Sequence, residues 1–315
     1  MSGERGGEAP LGDGLPRASA AGVPGPALGS GRPLTLAFDS VSSDLDEQAW
    51  APLTARVEQA TGLLIEVQRH DGYGDIVDAI TAGRADLALL PPLAYVQARE
   101  EAAGLEPLVH ALVHGKTTYS AYLFVRRDAP VETAADLRGR RVAFVDELST
   151  SGFLFPYAAL LDVGLDPARD LGAVAFTGDH VASLRALTEG RVDAAASFAD
   201  ALPWARAQAA SEGWELPELR VLVHAGRIPL DVLCAGPSLG APLREQVREV
   251  LLTTNTTEPA GRAFYASSGR IVGWAPASDA LFDPVRRVRR RVAEHRREAA
   301  PPDASGATAT VGETP

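Results

Sequence analysis

The stretch Val142-Ala-Phe-Val-Asp-Glu-Leu-Ser-Thr-Ser-Gly-Phe-Leu-Phe-Pro156 decides how this chain is read. It opens as a short apolar run of strand character. It then passes through Ser149, Thr150, Ser151 and Gly152 and enters a helical pattern, Phe153 to Val163, that stops at Gly164. A strand that feeds a helix through Ser-Thr-Ser-Gly sets hydroxyls beside backbone N–H groups that have no acceptor within the helix. A helix start of this kind is a ready site for a small anion. The plainer reading is an N-cap, because one Ser or Thr is expected at any helix start. Only one of the three hydroxyls can cap, so the local sequence leaves both readings open.

Upstream of this turn, strands alternate with helices. Pro33 to Phe38 has strand character, and a helix follows from about Leu45 to Ala60, ended by Gly62. Leu64 to Val67 is a second strand. Tyr73 sits in the turn Asp71-Gly-Tyr-Gly74 before a helix that runs to Thr81. Ala85 to Leu90 is a third strand, broken by Pro91-Pro92, and Tyr95 lies at the start of the next helix. This alternation predicts an α/β fold with largely parallel sheets. The pattern then returns. Ala143-Phe144 echoes Ala37-Phe38 106 residues later, and Gly190-Arg-Val-Asp193 echoes Gly83-Arg-Ala-Asp86 107 residues later. Gly-x-x-Asp is a common helix-to-strand turn, but matching order and offset predict two similar lobes. Thr118 to Val125 reads as a strand crossing from the first lobe to the second, and Arg220 to His224 as the return. Lobe 1 is therefore expected over residues 33–118 plus 225–300, and lobe 2 over residues 119–224.

Composition agrees with two lobes. The chain has 315 residues, more than one ordinary core requires. Its net charge of -11 argues against nucleic acid as a partner, and no run reaches transmembrane length. The single cysteine, Cys234, excludes an internal disulfide or a thiolate metal cluster, and its apolar setting Val232-Leu-Cys-Ala235 predicts a core thiol. Residues 1–32, rich in Gly, Ala and Pro, and residues 301–315 read as disordered tails. The first of these lacks the basic start and apolar core of a secretory signal. Val285 to Arg297 predicts a basic helix, with Val285, Val288 and Val292 on one face and arginines over the acidic body.

Several further residues could meet an anion. Asp179-His180 opens the helix of the second βα unit in the same lobe. A histidine there is not stabilised as a cation, so it is either a neutral donor or a surface residue. Tyr73 and Tyr95 either roof the first lobe's core or offer it uncharged donors. Asp200 and Asp231 fall on loops, where carboxylates are usually solvated. Facing an oxyanion, each would require a proton or an ammonium group on the ligand, which fully ionised sulfate does not supply. The motifs GxSxG, HExxH and GxxxxGK[ST] are all absent, and no cofactor or metal is expected. A triad of Ser149 or Ser151 with His180 and an aspartate has the right residue types but no supporting spacing.

Taken as an ordered set, the blocks Leu137 to Asp146, Ser149 to Pro156, Phe176 to Ala186, Gly190 to Ala195, Arg227 to Asp231 and Phe282 to Arg286 resemble the phosphate/phosphite/phosphonate-binding proteins of ABC transporters. The resemblance covers about Pro33 to Arg290. It implies a type II periplasmic-binding fold, with two α/β lobes, a two-segment hinge and a ligand cleft between them. It implies a non-catalytic monomer that delivers a small phosphorus oxyanion to an ABC permease without entering the membrane itself. It also implies that Ser149, Thr150, Ser151 and His180 hold phosphoryl oxygens from the second lobe, and that Tyr73 and Tyr95 act from the first. Asp231 matches an acidic ligand residue of that family. Asp200 stands where its aminoalkylphosphonate binders carry a glutamate toward the ligand's ammonium group. Glu147 and Leu148 replace the family's small turn residues, and Glu147 is expected to face solvent. Periplasmic residence follows from the resemblance. The lack of a visible signal keeps a cytoplasmic sensing protein with the same cleft as the alternative, and a Ser/His hydrolase as a third reading.

Overall fold

The computed structural model describes residues 31–41, 47–268 and 270–299. Residues 1–30 and 301–315 of the expected tails and the expected helix start at Leu45 lie outside the described residues, but Arg32, expected in the first tail, is held to the folded lobe by donating to Asp86 at 2.6 Å. In chain order the elements are β1 (Leu34–Asp39), α1 (Ala51–Thr61), β2 (Ile65–His70), α2 (Tyr73–Thr81), β3 (Leu87–Leu90), α3 (Pro92–Glu101), β4 (Glu106–Val113) and β5 (Thr118–Arg126). There follow β6 (Arg141–Phe144), α4 (Phe155–Asp162), α5 (Pro167–Asp170), β7 (Ala173–Phe176), α6 (His180–Thr188), β8 (Ala194–Phe198), α7 (Ala201–Glu212) and β9 (Leu219–Pro229). The chain ends with β10 (Val232–Ala235), α8 (Ala241–Thr253), α9 (Pro259–Ser267), β11 (Ile271–Pro276) and α10 (Asp283–Ala299).

The strands form two sheets, ordered β11-β4-β10-β3-β1-β2 and β7-β6-β8-β5-β9. Each has a parallel heart, β2-β1-β3 in the first and β7-β6-β8 in the second, extended by antiparallel strands. This is a two-sheet α/β architecture. The echo in the sequence has a physical basis in it. Ala37 pairs with Ala88 in the first sheet, and Ala143 pairs with Ala195 in the second. Gly83 and Gly190 take positive φ at the ends of α2 and α6, a conformation that costs glycine little. The aspartate three residues later then ties the turn to the central strand. Asp86 accepts from the Thr35 amide at 3.0 Å, and Asp193 accepts from the Arg141 amide at 2.9 Å. The two Gly-x-x-Asp turns are thus the same device used once per lobe.

The chain passes between the sheets over residues 114–117 and again over residues 230–231. The two crossings are stitched together, since the Leu230 amide donates to the Thr117 carbonyl at 3.0 Å. β9 stays in the second sheet as far as Pro229, beyond the expected boundary at residue 224. It pairs with β5 along its whole length, and two register shifts accommodate the extra residues. The pattern of apolar residues had not marked β4, α7, α9 or β11 as elements.

Trp50, Phe38, Phe264 and Trp274 pack the outer face of the first sheet under α1, α8 and α9. A second core runs without a break from Ile76 and Tyr95, through Phe144 and Leu160, to Val285 and Val292. That core spans both lobes, and α10 seals it. Val285 and Val292 are buried and Val288 packs beside them, as their spacing predicts. Cys234 is fully buried on β10.

Candidate functional site

The turn after β6 does not enter α4 directly. Thr150 to Leu154 form a single π-helical turn, and the Leu154 amide donates to the Ser149 carbonyl at 3.0 Å. Ser149 is the cap, because its Oγ accepts from the Gly152 amide at 2.9 Å. Gly152 is required by space. A Cβ there would lie 2.4 Å from Val145 Cγ2 and 2.7 Å from Ser149 Oγ. With Ser149 spent on the cap, Thr150 and Ser151 point their hydroxyls elsewhere. The Ser151 Oγ accepts a long bond, 3.4 Å, from the Tyr119 hydroxyl on β5. The Thr150 Oγ1 accepts from the Leu93 amide, in the first turn of α3, at 2.9 Å. That bond joins the two lobes, so the molecule is closed. All three hydroxyl residues are buried.

Around this turn the fold gathers Tyr73 and Pro91 from the first lobe, Tyr119, His180 and Phe198 from the second, Asp231 from the return crossing and Arg270 from the loop before β11. The cavity they leave is about 10 Å³, barely enough for one water. His180 is the first residue of α6, whose start is capped by Asp179 accepting from the Ala182 amide at 2.7 Å. Its Nδ1 lies 3.0 Å from Ser197 Oγ, and its ring stands edge-on to Phe198. Burial, and then the Arg270 charge, push the imidazole down to about 3, so His180 is neutral at physiological pH. Burial likewise drives the Tyr73 and Tyr119 phenols well above their ordinary range. Both are therefore uncharged donors.

Two charged groups remain. The Asp231 carboxyl is pushed up to about 7, mainly by burial. Arg270 opposes the shift and Asp39 adds to it. The Arg270 guanidinium lies over the rings of Phe198 and Trp204, at 5.2 and 5.5 Å, with Nη2 3.9 Å from the Asp231 carboxylate. Its Nη1 is buried with no hydrogen-bond partner among the described residues. A buried guanidinium nitrogen without an acceptor is costly and marks a place for an acceptor-rich ligand. The sequence reading missed Arg270, which follows Ser267-Ser-Gly269 with no periodic pattern around it. Tyr119 was seen only as part of a crossing strand.

Tyr73, Ser149, Thr150, Ser151, His180 and Asp231 are thus brought together. Tyr95 and Asp200 are not. The Tyr95 hydroxyl donates to Asp279 at 2.7 Å and its ring packs on Phe282, so it fastens α3 beneath α10. Asp200 begins α7 and lines a neighbouring cavity on the hinge side, 3.9 Å from His114 Nε2. Glu147 is exposed, as expected, and pairs with Arg296 of α10 at 3.0 Å.

Residues 38–282 match the family described as ABC transporter, phosphonate, periplasmic substrate-binding protein. The Mycolicibacterium smegmatis phosphate-import protein PhnD is 28% identical over 263 residues, which span 78% of this chain and 81% of that protein. The Escherichia coli phosphonates-binding periplasmic protein is 24% identical over 246 residues, 76% of this chain and 70% of the other. Among solved structures, PhnD1 from Prochlorococcus marinus in complex with methylphosphonate superposes with a TM-score of 0.68 at 15% identity. The match covers 84% of this chain and 99% of that one.

Proposed function

Since the chain belongs to the phosphonate family of periplasmic ABC-transporter substrate-binding proteins, we propose that its closed cleft captures the phosphoryl end of a small phosphorus oxyanion. The observation that carries this reading is the unsatisfied, buried Arg270 Nη1, on a side chain that lines the same small cavity as the hydroxyl turn. The Ser149–Ser151 turn supplies hydroxyls and helix-start amides. Tyr73, Tyr119 and neutral His180 add donors that bring no charge, and Arg270 supplies the one full positive charge. Asp231 accepts a hydrogen bond from a protonated ligand oxygen. A fully ionised sulfate has no such proton, and above about pH 7, where Asp231 is ionised, it meets the carboxylate as a like charge. The relatives named for phosphate import and for phosphonates support the same class.

We also propose that the protein is exported and delivers its ligand to a membrane permease, binding without turnover. The hydrogen bond His180 makes among the described residues goes to Ser197, not to a hydroxyl of the 149–151 turn. Calorimetry with phosphate, phosphite, methylphosphonate, 2-aminoethylphosphonate and sulfate tests the binding reading. At least one phosphorus anion is expected to bind with Kd below about 1 mM, and sulfate more weakly. Failure of every phosphorus anion to bind overturns it. Fractionation of cells making the native gene product tests export. Retention in the cytoplasm points instead to a ligand-sensing role for the same cleft.

A further inference from the structure

Tyr119 and Phe198 stand between the phosphoryl pocket and the hinge side, lining both. The two rings meet edge to face at 5.7 Å, and both also line a second, larger cavity of about 180 Å³. This cavity adjoins the phosphoryl pocket across those two rings, and several of its lining residues are exposed. Its other walls include His114, Lys116, Thr118, Ser120, Asp200 and Arg227.

The charges of that cavity are informative. Lys116 and Arg227 make no ion pair among the described residues, and both are exposed. The one carboxylate, Asp200, already has a cation-capable neighbour in His114. A wall with two unpaired cations and one shared carboxylate attracts an anion and repels an ammonium group. This is the reverse of what a carboxylate alone at position 200 implies.

We infer that the hinge-side cavity reads the ligand's substituent, and that it favours a phosphonate bearing an acidic group over one bearing an amine. Lys116 and Arg227 meet the second anion, and Tyr119 and Phe198 turn aside to let the connecting methylenes pass. The inference rests on the proposed phosphoryl site and adds a substrate class to it.

The test is calorimetry at low and moderate salt with methylphosphonate, 2-aminoethylphosphonate, phosphonoacetate and 3-phosphonopropionate. At least one phosphonocarboxylate is expected to bind about three- to tenfold tighter than methylphosphonate, as a partly exposed charge pair allows. The preference should shrink as salt rises. Arg227→Ala and Lys116→Ala should each move the ratio of phosphonocarboxylate to methylphosphonate affinity toward one. The charge reversal Arg227→Glu should turn the preference toward 2-aminoethylphosphonate. If 2-aminoethylphosphonate binds tighter than both carboxylates, or if all four bind alike, the inference falls while the phosphoryl site stands. If none of them binds, and phosphate and phosphite also fail, the phosphoryl reading itself is gone and this one with it.

Discussion

Arg270 and Asp231 are the residues on which selectivity turns. Removing the guanidinium takes from the phosphoryl pocket the only full positive charge among the described residues that line it and leaves Asp231 buried with Asp39 nearby. Arg270→Ala is expected to weaken binding of the preferred phosphorus anion by about 2–4 kcal/mol, measured by calorimetry. Arg270→Lys should recover only part of it, because an ammonium cannot reproduce the planar fork. Above about pH 7, where Asp231 is ionised, Asp231→Asn removes the repulsion that excludes sulfate, so the ratio of phosphite to sulfate affinity measured at about pH 8 is expected to fall about tenfold. The same variant has a signature without ligand. The folded carboxyl titrates near 7, above the ordinary value of 3.8, so the native state holds its proton over that interval and the unfolded state does not. Asp231 therefore costs stability progressively as pH rises from about 4 to about 7. His180, pushed down to about 3, acts the other way and costs stability as pH falls below about 6.5. The melting temperature of Asp231→Asn minus that of the wild type should climb between pH 4 and pH 7 and then level off. A flat difference across that range removes the assigned titration. Residues that belong to a strand-to-helix turn, such as Ser149, Thr150, Ser151 and His180, could be read from sequence because local pattern fixes where they sit. Arg270 could not, because only the return of the chain to the first sheet carries it into the cleft. Tyr95 was misplaced for a related reason. Its helix was legible, but nothing local shows that Asp279, far along the chain, takes its hydroxyl.

At the scale of elements, the turn between β6 and α4 is set by crowding as much as by hydrogen bonding. The predicted continuous helix becomes a π-helical turn followed by α4, in which the Leu154 amide reaches back to the Ser149 carbonyl and Gly152 lies so near Val145 that no Cβ would fit. Gly152→Ala should therefore cost about 1–3 kcal/mol through overpacking. The expected outcome is a lower melting temperature together with weaker ligand binding, since the same displacement misplaces Thr150 and Ser151. Thr150→Ala should cost about 1–3 kcal/mol in affinity if its hydroxyl meets a phosphoryl oxygen, and an unchanged Kd removes it from the site. The parallel heart of each sheet was legible from the spacing of strand, helix and Gly-x-x-Asp turn. The antiparallel additions β4 and β11 were not, because their partners lie far apart in sequence and their apolar pattern is interrupted by His110, Gly273 and Pro276.

At the scale of the whole molecule, α10 links the two lobes outside the crossing strands. Its first half pairs with the first lobe through Arg289 and Glu100. Its second half pairs with the second lobe through Arg291 and Asp162, His295 and Asp166, and Arg296 and Glu147. Each of the arginine pairs, which are exposed, contributes at most about 1 kcal/mol, and His295 meets a buried Asp166; together these contacts bias the hinge toward closure. The triple variant Arg289→Ala, Arg291→Ala, Arg296→Ala is expected to show a larger radius of gyration by X-ray scattering without ligand, and to return to the wild-type value when ligand is added. An unchanged radius argues that the core under α10 alone holds the lobes. The hydrogen bond from the Leu93 amide to Thr150 has a consequence of its own. The amide occupies an acceptor lone pair of the Thr150 oxygen and leaves its O–H free to donate. Lobe closure and anion capture therefore use opposite sides of one oxygen atom. The latch aims the hydroxyl instead of consuming it, so shutting the cleft and preparing it for an oxyanion are the same event.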